Sequence, residues 1–461
     1  MSMLGHVIGL DFSDLLIKDC LTIAIPSNKN DLQDFCRIIE ETSRFQEFLV
    51  SVGFLHADQK TILEYARNVD ALFANKMCRD VLDKARKLML MQLHDTVQLT
   101  APSDANSVPK SSENKLNNVF IFPTCQISAS VKQLMDFAYE VLNEASESSA
   151  MCAIRLFYTV RNIFELFCAI VPIFHKQNIT MLPQVTVSAL HHNNCMYLAH
   201  HLITLGHEFS SRLHPSLKDN TVTFVDLVPR LRTAGTDAFQ SQLAAQKKQL
   251  VEIIRGIGSF HNMSNDPNFT NSLERALKQC LYQLEHLQRI WQTVLPSSVY
   301  KQTMGALLDS LLDEIIGQIV RQEDIPSNCT HQLTTAFSVI IQRTPNLFQP
   351  LSYYGNNGNN ENYSVADACR CVPKWMKFKE LLLMLAASMN DILERWAEGK
   401  GPLAHEFTAN EIKQVIRALF QNTDRRSAVL ARINHTHWFE ESKNQSVCQS
   451  SVNLTFLNFF L

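Results

Sequence analysis

The sequence is short of glycine, of net charge and of paired cysteines, and each shortage removes a class of function. Glycine supplies 13 of 461 residues, well under the ~7% average. That scarcity argues against turn-rich sheets and against the glycine loops that cradle phosphates. The formal net charge of −3 leaves no polyelectrolyte footprint, so nucleic acid is not an expected partner. The 12 cysteines, at positions 20, 36, 78, 125, 152, 168, 195, 280, 329, 369, 371 and 448, have no framework spacing and read as reduced, buried thiols. No basic segment followed by an apolar core opens the chain, and no uninterrupted apolar run reaches the ~18 residues of a membrane span. The expected location is cytosolic or nuclear.

What is present is helical periodicity. With 46% hydrophobic and 19% charged residues in 461, the chain can bury several cores. Leu32, Phe35, Ile39, Phe45 and Leu49 fall on one side of a predicted helix over 31–52. A second pattern over 58–99, through Ile62, Ala66, Val69, Phe73, Met77, Val81, Ala85 and Leu88, predicts one helix ~60 Å long. The small, polar stretch APSDANSVPKSSENKLNN at 101–118 reads as a flexible linker. Helices are predicted over 126–149, 151–170, 188–213 and 222–254, with 255–272 closing that block as a loop.

A third block begins near Leu273 and is interrupted at 352–366 by SYYGNNGNNENYSVA, whose asparagine bias marks a disordered insertion. Phe378, Leu382, Leu385, Met389, Ile392 and Trp396 alternate spacings of four and three, predicting one helix that ends at Gly399-Lys-Gly-Pro402. Thr408-Ala-Asn-Glu411 is a capping box for the next helix, with Phe407 and Ile412 as its hydrophobic staple. The expected organisation is therefore a helical rod over 1–100, a linker over 101–118, a helical bundle over 119–272, a C-terminal helical bundle over 273–433 and a tail over 434–461.

The densest chemistry is HHNNCMYLAHHL at 191–202, with four histidines and one cysteine. On a single helix His200 and His207 share a face but lie ~10 Å apart along the axis, too far for one ion. His191 and Cys195 are four apart and could share a metal, but two ligands are not a site. Packed, hydrogen-bonded rings are the expectation. The enzyme alternative is a metal-dependent helical hydrolase using His191, His192, Cys195 and His200 within the His-rich helix 191–207.

Other signatures fail. His207-Glu208 and His405-Glu406 begin like zincin motifs but meet Ser211 and Ala409 where a second histidine is needed. Gly256-Ile-Gly258 meets His261 where a dinucleotide loop needs glycine. His94-Asp95 and Cys369-Arg-Cys371 each supply half a metal site at most. No cofactor is expected. In VPKWMKFKE, Lys374, Lys377 and Lys379 crowd a helix start, where the dipole disfavours cations, and are interleaved with Trp375 and Phe378. Lys374, Trp375, Lys377 and Lys379 are thus the candidate contact for an acidic partner or a membrane surface, set against aromatics that belong to the core and lysines that are merely solvated.

The strings HHNNCMYLAHHLITLGHEF, TFVDLVP at 223–229, YARNVDALFANK at 65–76, RLFYTVRNIFELF at 155–167, YKQTMGALL at 300–308, VPKWMKFKELLLML and IRALFQNTDRR together resemble the zeste-white ten family of kinetochore and vesicle-tethering proteins. The likeness runs from residue 3 to about 433. It implies an all-α, elongated stack of helical bundles of the multisubunit tethering complex type, without catalysis. It further implies two assemblies: one at kinetochores and the spindle in mitosis with homologues of Rough deal and Zwilch, serving dynein–dynactin recruitment and the spindle checkpoint; the other at the endoplasmic reticulum, where the family joins SNARE tether subunits that capture Golgi-derived vesicles. Membrane association would be peripheral, through partners, from the cytoplasm. The chain is expected to start inside the family's middle region, without the N-terminal partner-binding segment. After Ile433 the resemblance stops, and the uncharged SVNLTFLNFFL ending reads as an aggregation-prone strand from an alternative exon or a gene-model artefact.

Overall fold

In the computed structural model, residues 2–26, 35–56, 60–100, 121–180, 185–213, 223–258, 269–350 and 361–433, with the single positions 58 and 217, are described. The linker at 101–118, most of the expected insertion and the tail after 433 lie outside them. Among the described residues the architecture is all-α. The helices are α1 (Ser2–Leu16), α2 (Phe35–Ser51), α3 (Thr61–Arg67), α4 (Val69–Met89), α5 (Ala129–Glu147), α6 (Ala150–Phe174), α7 (Val185–Ser210) and α8 (Val228–Arg255). They continue as α9 (Phe269–Val294), α10 (Ser297–Val320), α11 (Ser327–Leu347), α12 (Glu361–Cys371), α13 (Trp375–Ala386), α14 (Met389–Trp396), α15 (Ala409–Leu419) and α16 (Asp424–Arg432). Shorter helical turns join several of them. The strands β1 (Thr96–Leu99) and β2 (Cys125–Ser128) form a two-stranded sheet.

The chain packs into two compact units, each gathered from separate segments: Met1–Val97 with Ile127–Gln177 and His191–Thr236, and Gln98–Gln126 with Asn178–Leu190 and Asp237–Leu461. In the first, α4 packs against α5 and α6. The Arg155 guanidinium donates to the Ala71 carbonyl at 3.0 Å, and His175 Nε2 sits 3.1 Å from the Met89 carbonyl oxygen. The second has one continuous core in which Trp291, Tyr300, Phe337, Phe378 and Phe407 are at most 1% exposed. There the Trp291 indole donates to the Val185 carbonyl at 3.1 Å, and the Tyr300 hydroxyl to that of Leu347 at 2.5 Å. These bonds let large amphipathic rings be buried without an orphaned polar atom.

Several helices are broken where the apolar pattern alone runs on. The single helix expected over 58–99 is α3 and α4, separated by Asn68 at φ −85°, ψ 25°. Asparagine competes with the helix through local turn geometry. The helix then ends at Met89, and 96–99 is strand. Likewise the helix expected from Phe378 to Trp396 is two. Ser388 is extended, its Oγ accepts from the Asp391 amide at 3.4 Å, and Asp391 accepts from the Ser388 amide at 2.9 Å. A capping box read only at Thr408 therefore recurs at Ser388 and wins over the heptad. The Thr408–Glu411 box is formed as read from the sequence, with Phe407 and Ile412 both buried. Residues 361–366, expected in the disordered insertion, open α12. The helix expected from 126 starts at Ala129, after β2.

The α6 helix is long and apolar enough, by length and composition, to cross a membrane, although no uninterrupted apolar run shows it. Its Leu156, Phe157, Val160, Ile163, Phe164 and Phe167 are buried in the first unit, and its Arg161 clasps Asp226. This is the pattern of a core helix.

Candidate functional site

The His-rich sequence occupies the middle of α7, and the polar side chains of its first half face inward. His191, His192, Asn193, Asn194 and Cys195 are at most 5% exposed. A helix buried on most sides must satisfy each polar group internally. Asn194 does so through Ser128: its Oδ1 accepts from the Ser128 amide and its Nδ2 donates to the Ser128 hydroxyl, both at 2.8 Å, while that hydroxyl donates to the Leu93 carbonyl at 2.8 Å. His192 Nδ1 lies 3.3 Å from the Gly235 carbonyl oxygen. A side chain at 235 would put its Cβ 2.6 Å from the Cys195 Cβ, so only glycine lets α8 approach α7 this closely.

His191 Nε2 sits 3.7 Å from the Cys195 thiol, its ring stacks on Phe167 at 6.4 Å between centroids, and its Nδ1 has no hydrogen-bond partner. His201 points elsewhere, with Nδ1 3.4 Å from the Tyr139 hydroxyl. His200 is half-buried and His207 exposed near the helix end. The four residues of the hydrolase alternative thus pair by twos at best. Among the described residues no group of three metal-ligating side chains converges.

Electrostatics set the chemical state of these groups. Burial, with the neighbouring His192 and His175 adding to it, holds His191 down to about 4. Burial also holds His192 to about 4, against the opposing Gly235 hydrogen bond. Burial pushes the Cys195 thiol well above its ordinary range. At neutral pH the cluster is therefore two neutral imidazoles and a thiol, with neither a thiolate nucleophile nor a charged acid. Not every cysteine is buried as expected. Cys125, Cys152, Cys195, Cys280 and Cys329 are, but Cys20 and Cys369 are exposed. Cys369 and Cys371 lie two residues apart on α12 and so face different sides. His94 and Asp95 are exposed in the turn before β1.

The basic–aromatic stretch finds its partners inside its own unit. Trp375 is 1% exposed, so it belongs to the core and is withdrawn from any contact surface. Lys374 is the residue capping α13; its amide donates to Asp309 Oδ1 at 2.8 Å and its ammonium meets Asp313 at 2.5 Å. Those two carboxylates supply the negative charge that a helix start favours and the sequence locally lacks. Lys377 pairs with Glu411 at 2.8 Å and lies over the Phe407 ring, and Lys379 lies over the Trp375 ring. The Lys377 and Lys379 ammonium groups thus sit over core aromatics. Lys379 alone of the three lysines reaches no carboxylate in a salt bridge.

One feature had no sequence signal. A groove of about 880 Å³ is lined by Asn390, Leu393, Glu394, Trp396, Ala397, Glu398 and Arg432. Ala397 and Glu398 there hold φ of 43° and 54°, ahead of Gly399 at 86°. Left-handed backbone was foreseeable at the glycine, not at the two residues before it. A side chain at 401 would bring its Cβ within 2.0 Å of the Arg395 carbonyl oxygen, so glycine is required there by close approach.

Comparison with known proteins follows the same helices. Three family models match: Centromere/kinetochore protein zw10, middle domain, at residues 1–89; its C-terminal region at 120–252; and the ZW10 C-terminal helical domain at 275–433. The chain is 44% identical over 458 residues to the centromere/kinetochore protein zw10 homolog of Rattus norvegicus, covering 94% of this chain and 58% of that protein. It is 28% identical over 423 residues to centromere/kinetochore protein zw10 of Drosophila melanogaster, covering 91% and 53%. With the Caenorhabditis elegans homolog it shares 22% identity over 486 residues, covering 94% and 60%. The chain thus spans 53–60% of the length of these relatives. Three successive family models and relatives matched along nearly its whole length make this chain a member of the zeste-white ten family.

Proposed function

We propose that this chain is a scaffold segment of a kinetochore assembly, acting by holding partner proteins rather than by chemistry. The observation that carries this is kinship along 94% of the chain to proteins named for the centromere and kinetochore. The state of α7 supports it, since the most chemically equipped stretch of the sequence is occupied with internal packing. In the finer reading its partners are homologues of Rough deal and Zwilch, linked to dynein–dynactin pathway proteins and the spindle checkpoint. A second assembly, with SNARE tether subunits on the endoplasmic reticulum in Golgi-to-ER vesicle transport, rests on the family resemblance alone.

A tagged chain expressed in dividing cells tests the reading. Fluorescence at kinetochores in prometaphase and co-purification of the Rough deal and Zwilch homologues are expected. A signal excluded from kinetochores, with neither homologue recovered, overturns it. Stoichiometric zinc, iron or manganese that is lost on His200→Ala would also count against a scaffold.

A further inference from the structure

One helix of the second unit carries a basic face with a single exposed ring at its centre. On α9, Arg275, Lys278, Tyr282, His286 and Arg289 recur at spacings of three and four. At 100° per residue they fall within an arc of about 80°. Leu273, Leu277, Leu284, Leu287 and Trp291 hold the opposite side of the helix in the core. All five residues of the stripe are exposed, Tyr282 by 67%. Seven residues are two turns, so Arg275 and Arg289 stand about 10 Å before and after Tyr282 along the axis.

No carboxylate lies within that arc. Glu274 and Glu285 stand at its edge toward α11, about 60–80° from Tyr282, and both are engaged. Glu274 meets Lys278 at 3.1 Å, and Glu285 meets Arg343 of α11 at 2.7 Å. The α11 helix itself contains no acidic residue. The other edge, toward α8, is uncharged: the Gln283 amide donates to Gln246 and Gln249 of α8 at 2.8 and 2.9 Å. Glu252 of α8 is 3.7 Å from Lys248. Arg275 and Arg289 therefore pair with no carboxylate among the described residues. Tyrosine and arginine are the side chains enriched where proteins meet, because each offers a large contact area together with polar donors. A helix laid alongside α9 at a shallow crossing angle keeps the seven-residue register of the stripe. We propose that this face docks an acidic helix of a partner protein, with a glutamate or aspartate seven residues before and seven after a small or apolar residue that receives the Tyr282 ring. Its carboxylates meet the two guanidinium forks, and the ring is covered between them. One ring among polar neighbours is too little apolar area to anchor the chain in a lipid surface. This inference stands independently of the kinetochore reading.

The full chain is titrated with labelled synthetic helices of about six turns. The first has leucine at its centre and glutamates seven residues to either side on the same face; the second has the same composition with both glutamates on the opposite face. The first is expected to bind saturably, about fivefold tighter than the second at low salt, with the difference shrinking as salt rises. Tyr282→Ala should weaken its binding about tenfold. Arg275→Glu/Arg289→Glu should abolish binding of the first helix and confer binding of a version with lysine in place of both glutamates. All three substituted side chains are exposed, so circular dichroism of the variants should be unchanged. Equal binding of the two glutamate helices, binding of neither, or binding that survives the double reversal overturns the proposal. So does retention of the chain on anionic vesicles or on duplex DNA that the same double substitution abolishes, which would assign the face to lipid or to nucleic acid.

Discussion

Two helical segments of the first unit, α2 and residues 191–210 of α7, invert the usual relation between polarity and burial. On α7, His191, His192, Asn193 and Asn194 are inside; on α2, Phe45 and Phe48 are outside. The N-terminal helices around α2 close over only a small core, Leu21, Leu49, Leu55 and Ile62, whereas α7 has polar partners waiting at Ser128 and Gly235. Apolar area gains when it is covered, and polar groups can be buried when each has a partner. Which of these happens depends on the neighbouring elements more than on the residue.

The comparison can be broken or sharpened by measurement, with the second unit as a reference. Trp291→Ala removes a fully buried indole that also satisfies the Val185 carbonyl, and should cost about 4 kcal/mol in denaturant unfolding. Acid acts next. His191 and His192 are held to about 4, below the 6.5 of the unfolded rings. Their contribution is whole above that unfolded value and is lost as pH falls, because the unfolded chain binds the protons first. Between pH 7.5 and 5.5 the two rings together should remove roughly 3 kcal/mol, and His191→Leu should halve that loss. A flat stability profile would mean that the rings are solvated and the inversion illusory. Asn194→Ala leaves the buried Ser128 amide without its acceptor and should cost about 2 kcal/mol by thermal or chemical unfolding. Phe48→Ser should change stability by less than about 0.5 kcal/mol. A larger loss would show that the Phe48 ring is covered by the fold after all.

Much of this was legible beforehand and the misses have physical causes. The Thr408–Glu411 capping box and its staple were readable because every participant lies within five residues. The incompatibility of His200 and His207 as ligands of one ion followed from helix geometry alone. The continuous helices expected over 58–99 and 378–396 failed because apolar periodicity persists across a one- or two-residue break that Asn68 or Ser388 imposes. The Lys374–Trp375 stretch was ambiguous for a different reason. Its lysines broke a local dipole rule, and the compensating Asp309 and Asp313 stand on α10, more than sixty residues earlier. The groove at Ala397 and Glu398 was invisible because neither residue favours a positive φ.

From the order of residues came the helical class, the family and the local caps, since these depend on periodicity, extended word matches and contacts a few residues apart. Tertiary packing decided which face of each helix meets another. It turned His191 and His192 of α7 into buried, neutral rings, gave Lys374 and Lys377 their carboxylates, and left Phe45 and Phe48 uncovered. Burial is a property of the neighbours a fold supplies, and those neighbours lie too far along the chain for a local pattern to name them.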